Sequence, residues 1–111
     1  MKERLEDAIL DGSIAPEERI PSTNELAKFY QINPATARQG VKELEEEGVL
    51  WKRRGVGMFV SLEGRKIILQ KRQDAFYTEY ILPLLKEAKA LGISKAELLE
   101  MIRRGGREDG S

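Results

Sequence analysis

Two short helices joined by a tight connection, in the first half of the chain, constrain this sequence more than any other feature. The first begins with Ser22 and Glu25, which have the spacing of a capping box and so satisfy two orphan amides. The second begins at Asn33 and Pro34, an N-cap followed by proline at the first helical position, where no amide hydrogen bond is needed. Gly48 supplies a left-handed stop. Two capped helices this close together predict a helix-turn-helix.

The segment after this pair of helices changes to strand-like spacing. Residues 49–53 and 58–60 predict two strands, and the sequence Arg-Gly-Val-Gly at 54–57 predicts the turn between them, because glycine adopts positive φ readily. A further apolar helix is predicted over residues 2–11. The predicted fold class is therefore mostly α with a small β-hairpin, a winged helix-turn-helix that occupies residues 1–62.

A second region, residues 65–104, is predicted to be helical. A long segment over 65–91 is interrupted by Pro83, which should bend or divide it, and Ser94 with Glu97 forms a second capping box before a last helix. Two helices cannot bury so many apolar side chains against each other, so we expect a two-fold homodimer. The predicted dimer-interface residues are Phe76, Tyr80, Ile81, Leu84, Leu85, Leu91, Leu98, Leu99 and Ile102.

Two expectations about chain boundaries accompany this division. The polar, glycine-rich residues 105–111 are predicted to be a disordered tail. A fragment that ends near Gly64 is expected to fold as a monomer.

Composition limits the chemistry available to the chain. Its 19 basic and 19 acidic residues cancel, so net charge alone does not indicate a nucleic-acid partner. The absence of cysteine excludes disulfides and thiolate metal sites, and without histidine the chain lacks the commonest general base. No apolar run approaches the roughly 20 residues of a membrane span, and no signal peptide is recognisable. We therefore expect a soluble cytoplasmic protein that is not an enzyme, with no catalytic residues, cofactor or metal.

The second helix of the helix-turn-helix carries side chains suited to DNA. The major groove admits an α-helix, and residues near its N-terminus contact base edges. The candidate contacts on this helix are Asn33, Ala35, Thr36, Arg38, Gln39 and Lys42. At the hairpin, Lys52, Arg53 and Arg54 are expected to contact phosphates or enter the minor groove. The alternatives are an ordinary solvated helix face, and hairpin cations that only prevent edge-to-edge aggregation.

The motifs of the first sixty residues resemble the N-terminal domain of GntR-family bacterial transcription regulators. The resemblance is carried by residues 14–22, 25–27, 33–38 and 46–50 and by the glycine-bearing hairpin 53–60. It implies DNA contacts from Ser22, Asn33, Ala35, Thr36, Arg38, Arg54 and Gly55. Asn24 stands where many relatives have arginine, so a contact from that position is expected to be weaker or different.

The resemblance also implies an assembly and a function. The two short C-terminal helices resemble the YtrA-like branch of the family, which uses them for dimerisation. We therefore expect a repressor that binds a palindromic double-stranded DNA operator as a homodimer, with helix 34–47 in the major groove and hairpin 49–60 as the wing. Whether it also binds a small-molecule effector is left open. The alternative is a winged-helix protein-interaction module without specific DNA binding.

Overall fold

The computed structural model describes the backbone of residues 1–108 and the side chains of residues 1–105. In chain order the elements are α1 (Lys2–Leu10), α2 (Thr23–Tyr30), α3 (Pro34–Glu46), β1 (Leu50–Arg53), β2 (Gly57–Val60), α4 (Gly64–Phe76), a π-helical turn (Tyr77–Ile81), α5 (Leu82–Ala90) and α6 (Lys95–Glu108). The chain divides into two compact units, and the division falls between Arg72 and Gln73. This point lies beyond the boundary predicted at 62–65.

The first unit is a winged helix, which confirms the predicted fold class. Helices α2 and α3 pack together, and β1 and β2 form an antiparallel hairpin in which Trp51 lies opposite Phe59. The segment before α2 adds a short third partner to β2. Its Ile20 N–H donates to the Met58 carbonyl at 2.9 Å, and Val60 N–H donates to the Glu18 carbonyl at 3.0 Å. The segment that leads into α2 therefore pairs with β2 on the side away from β1, and so connects the wing to the helix-turn-helix.

The local signals at the helix ends operate as predicted. In the capping box, Ser22 Oγ accepts from Glu25 N–H and Glu25 Oε1 accepts from Ser22 N–H, each at 3.1 Å. Asn33 Oδ1 accepts from Ala35 N–H at 2.7 Å. Gly48 has a φ of 86°, the left-handed conformation expected at the end of α3.

The core of the first unit gathers residues from all of its helices and both strands. Three apolar residues on one side of α3, Ala37, Val41 and Leu44, are buried. Ile68, in the first half of α4, is also fully buried in this core. The start of α4 therefore belongs structurally to the winged helix.

One carboxylate lies inside this unit. Glu6 of α1 is 2% exposed, and both Lys71 and Arg72 of α4 pair with it. Arg72 also donates to Asp7 at 2.8 Å, and Lys71 donates to Glu47 at 3.0 Å. We call Glu6, Lys71 and Arg72 the Glu6 cluster. It ties α4 to α1 at the last residues of the unit.

The Glu6 cluster and Ile68 correct the expectation for a fragment ending near Gly64. Such a fragment would lack the Ile68 side chain from the core and would leave Glu6 without its two cations. A buried charge without a partner strongly destabilises a fold. We therefore expect a folded fragment to extend at least to Arg72.

The second unit accommodates Pro83 without a break in the helix. Leu82 N–H donates to the Tyr77 carbonyl, five residues earlier, so the chain forms a wider turn just before the proline. Gly92, with a φ of 72°, follows the end of α5, and Ser94 with Glu97 forms the predicted second capping box. The helical segment is thus divided just before Pro83 by the π-helical turn Tyr77–Ile81.

Two further predictions need correction in this unit. Leu98 is 7% exposed within the single chain, so it is already buried there and cannot contribute much to a dimer surface. Helix α6 continues to Glu108, so the first four positions of the predicted tail 105–111 are helical. The remaining positions, 109–111, lie outside the described residues. Across the described part of the chain, no helix has the length and apolar character needed to cross a membrane.

Candidate nucleic-acid interface

A shallow cleft of about 420 Å³ lies between α3, the hairpin and the segment that leads into α2. Four cationic side chains line it: Arg19, Arg38, Lys42 and Lys52. They come from three elements, namely the connection before α2, the exposed face of α3, and β1. We call this feature the basic cleft. Glu45 is the single carboxylate among its lining residues.

The other predicted contacts of α3 lie on a different side of the helix. Ala35, Thr36 and Gln39 line a separate depression beside the start of α1. Gln39 Nε2 donates to Glu43 Oε2 at 3.1 Å, and this bond, together with the ammonium of Lys2, lowers the pKa of the Glu43 carboxyl. The structure therefore divides the predicted reading residues into two groups, one beside the wing and one beside α1.

The Met1 side chain packs against α3 beside the second group of predicted contacts, Ala35, Thr36 and Gln39. The Met1 side chain lies against Gly40, at a place where any Cβ would collide with its terminal methyl group. Gly40 is buried, as is the next residue, Val41, whereas Gln39 before it is exposed. Met1 therefore packs against the middle of α3, beside Ala35, Thr36 and Gln39, and the sequence pattern gave no sign of this contact.

Two of the predicted DNA contacts, Ser22 and Asn33, also cap the starts of α2 and α3. Ser22 and Asn33 both accept backbone hydrogen bonds as N-caps, which leaves the Ser22 hydroxyl proton and the Asn33 amide N–H groups to donate outward. The backbone and side-chain bonds from Ser22 lower the pKa of the Glu25 carboxyl. Asn24 is exposed in the first turn of α2 and does not line the basic cleft.

The wing tip presents the remaining predicted contacts. Arg53, Arg54 and Gly55 are exposed, and the turn closes through a 2.9 Å bond from Val56 N–H to the Arg53 carbonyl. Gly55 has a φ of 79°, which favours glycine at this position. The wing tip is therefore a defined turn that carries two outward-facing guanidinium groups.

The two aromatic residues of the hairpin stack on each other. The ring centroids of Trp51 and Phe59 are 5.1 Å apart, in the cross-strand pair that the register creates. Such pairs stabilise a hairpin. Trp51 remains partly exposed and does not belong to the core.

The cations of this surface form no close ion pairs among the described residues, although, besides the hydrogen bonds with Ser22, the charge of Arg19 contributes to lowering the pKa of the Glu25 carboxyl. Within the described residues, none of the following forms an ion pair: Arg19, Arg38, Lys42, Lys52, Arg53 and Arg54. Elsewhere in the first unit, Lys2, Lys71 and Arg72 are all paired with carboxylates. Arg4, Lys28, Arg65 and Lys66 of this unit also form no ion pair among the described residues, but six such cations lie together on α3, the wing and the connection before α2. No group of three or more acidic residues in the described part of the chain could hold a metal ion.

Arg19 was not among the predicted contacts. The sequence places it in a connection between helices, where nothing in its spacing indicates which way it faces. Its position depends on the pairing of residues 17–20 with β2, which is a tertiary contact.

Comparison with protein families decides the relationship. Residues 1–60 match the family described as bacterial regulatory proteins, gntR family. The chain belongs to the GntR family. The match covers α1 through β2, the whole winged helix up to the start of α4. GntR-family membership makes this protein a transcription regulator with a DNA-binding winged helix, as predicted.

Three curated relatives of the GntR protein are informative. The HTH-type transcriptional repressor YtrA of Bacillus subtilis is 29% identical over 96% of this chain and 86% of its own length. YhcF of the same organism, an HTH-type transcriptional regulator, is 31% identical over 81% of this chain and 73% of its own length. The arabinose metabolism transcriptional repressor of Geobacillus stearothermophilus is 36% identical, but this chain spans only 22% of it. These likenesses confirm the predicted YtrA-like branch.

Solved structures give the same result. A transcriptional regulator of the GntR family from Bacteroides thetaiotaomicron matches with a TM-score of 0.80 and 29% identity, over 97% of this chain and 94% of its own. The DNA-binding domain of AraR in complex with operator ORX1 matches with a TM-score of 0.52 and 33% identity, over 54% of this chain and 72% of its own. The second structure contains operator DNA.

Proposed function

We propose that this GntR protein is a repressor that binds a palindromic operator as a homodimer, with α3 in the major groove and the β1–β2 hairpin as the wing. The observation that carries the proposal is the basic cleft, together with the unpaired arginines of the wing tip. Unpaired cations on one face are the electrostatic footprint of a duplex-binding surface. The AraR DNA-binding domain, which resembles the first unit and was solved with operator DNA, supports the binding of DNA by this unit.

The homodimer is supported by the second unit. Among its described side chains, only Ala88 and Leu98 are buried. The following large apolar side chains of this unit are exposed: Phe76, Tyr77, Tyr80, Leu82, Leu84, Leu85, Leu91, Leu99, Met101 and Ile102. A soluble chain rarely leaves so many apolar groups in water, and a second copy would cover them. Tyr77, Leu82 and Met101 extend the interface predicted from spacing.

Selection of binding sites from random duplexes tests the proposal. A repeated, two-fold-symmetric sequence with half-sites about one DNA turn apart, or a multiple of it, is the expected result. Salt-dependent binding that withstands nonspecific competitor DNA should accompany it. Recovery of no preferred sequence would instead favour a protein-interaction module.

Arg38 is expected to read a base. On α3 it points to the wing side with no acidic partner among the described residues, and an arginine there can form a bidentate pair with guanine. Arg38→Ala should weaken the selected operator by about 1–3 kcal/mol and relax selectivity at one base pair in each half-site. Titration of operators with single substitutions measures both effects. Equal weakening on selected and random duplexes would make Arg38 a phosphate contact.

The wing-tip arginines should act without regard to sequence. Replacement of Arg53 and Arg54 by alanine should weaken all duplexes about equally and reduce the slope of log affinity against log salt by roughly one for each lost phosphate contact. Fluorescence anisotropy at several salt concentrations gives that slope. If the slope does not change, the pair protects the hairpin edge and does not bind DNA.

A further inference from the structure

Arg19 lies in the basic cleft although no motif assigns it a role. Its neighbours there are Lys42 of α3 and Lys52 of β1. The side chain is exposed, and within the described residues it forms no ion pair. Arg19 is therefore available to contact a bound duplex.

When a protein inserts a helix into one groove of DNA and a wing into the neighbouring groove, the geometry of the duplex determines which part of it lies between them. The major and minor grooves of B-DNA are separated by one sugar–phosphate backbone. A helix in one groove and a wing in the next must therefore lie on either side of that backbone. The space between α3 and the hairpin is the basic cleft, so the phosphates of this strand would run through it.

The fold also holds Arg19 in place. Its backbone bridges to Phe59 of β2, and the next residue, Ile20, donates to the Met58 carbonyl at 2.9 Å. A Cβ on Gly57 would lie 2.7 Å from Arg19 Nε, so the absence of a side chain at Gly57 leaves room for the arginine beneath the wing. The backbone of Arg19 is thereby fixed at the edge of the cleft, and its side chain lies against Gly57.

We propose that Arg19 is a positioning contact that binds a backbone phosphate between the recognition helix and the wing. The planar guanidinium can donate two parallel hydrogen bonds to phosphate oxygens, which an ammonium cannot do. Asn24 is uncharged and lies outside the basic cleft. Arg19, from the connection before α2, supplies a cation inside the cleft. This inference rests on the proposed binding of duplex DNA and adds a residue to it.

The test measures affinity and salt slope for Arg19→Ala, Arg19→Lys and a control, Lys66→Ala, in the full chain. Lys66 is an exposed cation of α4 that does not line the cleft. Arg19→Ala should weaken selected and random duplexes alike, by roughly tenfold, as for one charge-assisted hydrogen bond, and should reduce the salt slope by about 0.9. Arg19→Lys should keep the slope but lose part of the affinity, and Lys66→Ala should change neither.

Several outcomes would overturn the assignment. Weakening confined to the selected operator would make Arg19 a base contact, and unchanged affinity in Arg19→Ala would remove it from the interface. If Arg19→Ala does not fold, Arg19→Lys provides the test. A fall of about 0.9 in its salt slope, the value for one lost phosphate contact, would contradict the assignment of Arg19. Failure of the unmodified chain to prefer any duplex would contradict the proposed function itself, so the two failures are distinguishable.

Discussion

A fragment that ends at Arg72 should remain a folded monomer and should bind the operator about 10²–10⁴-fold more weakly than the full chain. The loss comes from effective concentration, because two tethered half-site binders gain affinity without any new contact. The fragment keeps the complete winged helix, including Ile68 and the Glu6 cluster. Sedimentation of both proteins, with binding to a full operator and to one half-site, measures the effect.

The half-site provides the control for this experiment. The fragment and the full chain should bind a single half-site with similar affinity, because the contacts of one winged helix are the same. A full chain that sediments as a monomer at tens of micromolar, roughly the range of weak association, would contradict the dimer. A second fragment ending at Gly64 should be unfolded, since it lacks Ile68 and both cations of the cluster.

Replacement of Lys71 and Arg72 by methionine should lower the free energy of unfolding of the first unit by about 3 kcal/mol, because it leaves the buried Glu6 carboxylate without a cation. The value is at the low end for a broken buried pair, since both cationic side chains are more than a third exposed and water screens them. Denaturant titration at neutral pH, followed by the fluorescence of Trp51, measures the loss. Trp51 is the single tryptophan and lies in this unit.

A triple variant separates charge from packing. Addition of Glu6→Leu to the double replacement removes the stranded carboxylate, so most of the stability should return. Arg103→Met, which breaks only the exposed pair with Glu100, should change stability by less than about 0.5 kcal/mol. If the double and triple variants are equally unstable, the loss comes from the packing of the long side chains.

Acid should weaken the same part of the molecule. Burial acts to raise the pKa of Glu47, but hydrogen bonds from Lys2 and Lys71 outweigh it, so the pKa of the folded protein is lowered. A lowered pKa contributes stability that is present above the unfolded value of 4.5 and is lost as pH falls through the folded value. The contact between α1, α3 and α4 is therefore strongest near neutral pH.

The parts of the fold that depend on residues close together in the sequence could be predicted from it. The capping boxes at Ser22 and Ser94, the N-cap at Asn33 and the stop at Gly48 each require residues only a few positions apart. The apolar stripe of α3 follows from helical periodicity in the same way. Together these local signals determined the helix-turn-helix and the hairpin.

The parts that could not be predicted depend on residues far apart in the chain. Glu6 and Lys71 are separated by 65 positions, and an acidic residue in a helix gives no sign that it will be buried. Ile68 was assigned to the dimer region because its helix is continuous with it, yet its side chain packs in the winged helix. Phe29 has the opposite character, since it is apolar but 79% exposed. Tertiary contacts decide each of these cases.

The candidate interface shows the same limit. Arg38 and Lys42 lie on the wing side of α3 and Thr36 and Gln39 on another side, as about 100° of rotation per residue indicates, but the packing of Met1 against Gly40 beside the second group could not be predicted. Arg19 joins the cleft only because residues 17–20 pair with β2. A surface built from three elements cannot be assembled from the spacing within any one of them.

The wide turn before Pro83 changes how the faces of this helical segment must be counted. Each residue of an α-helix advances the side chain by about 100°, and the turn at Tyr77–Ile81 holds one residue more than an α-helical turn. A helical wheel drawn through residues 65–91 as one α-helix is therefore out of phase by one position after the turn. Side chains that share a face across it are therefore expected to be five positions apart. Paired substitutions meant to alter one face of the apolar surface should follow that spacing.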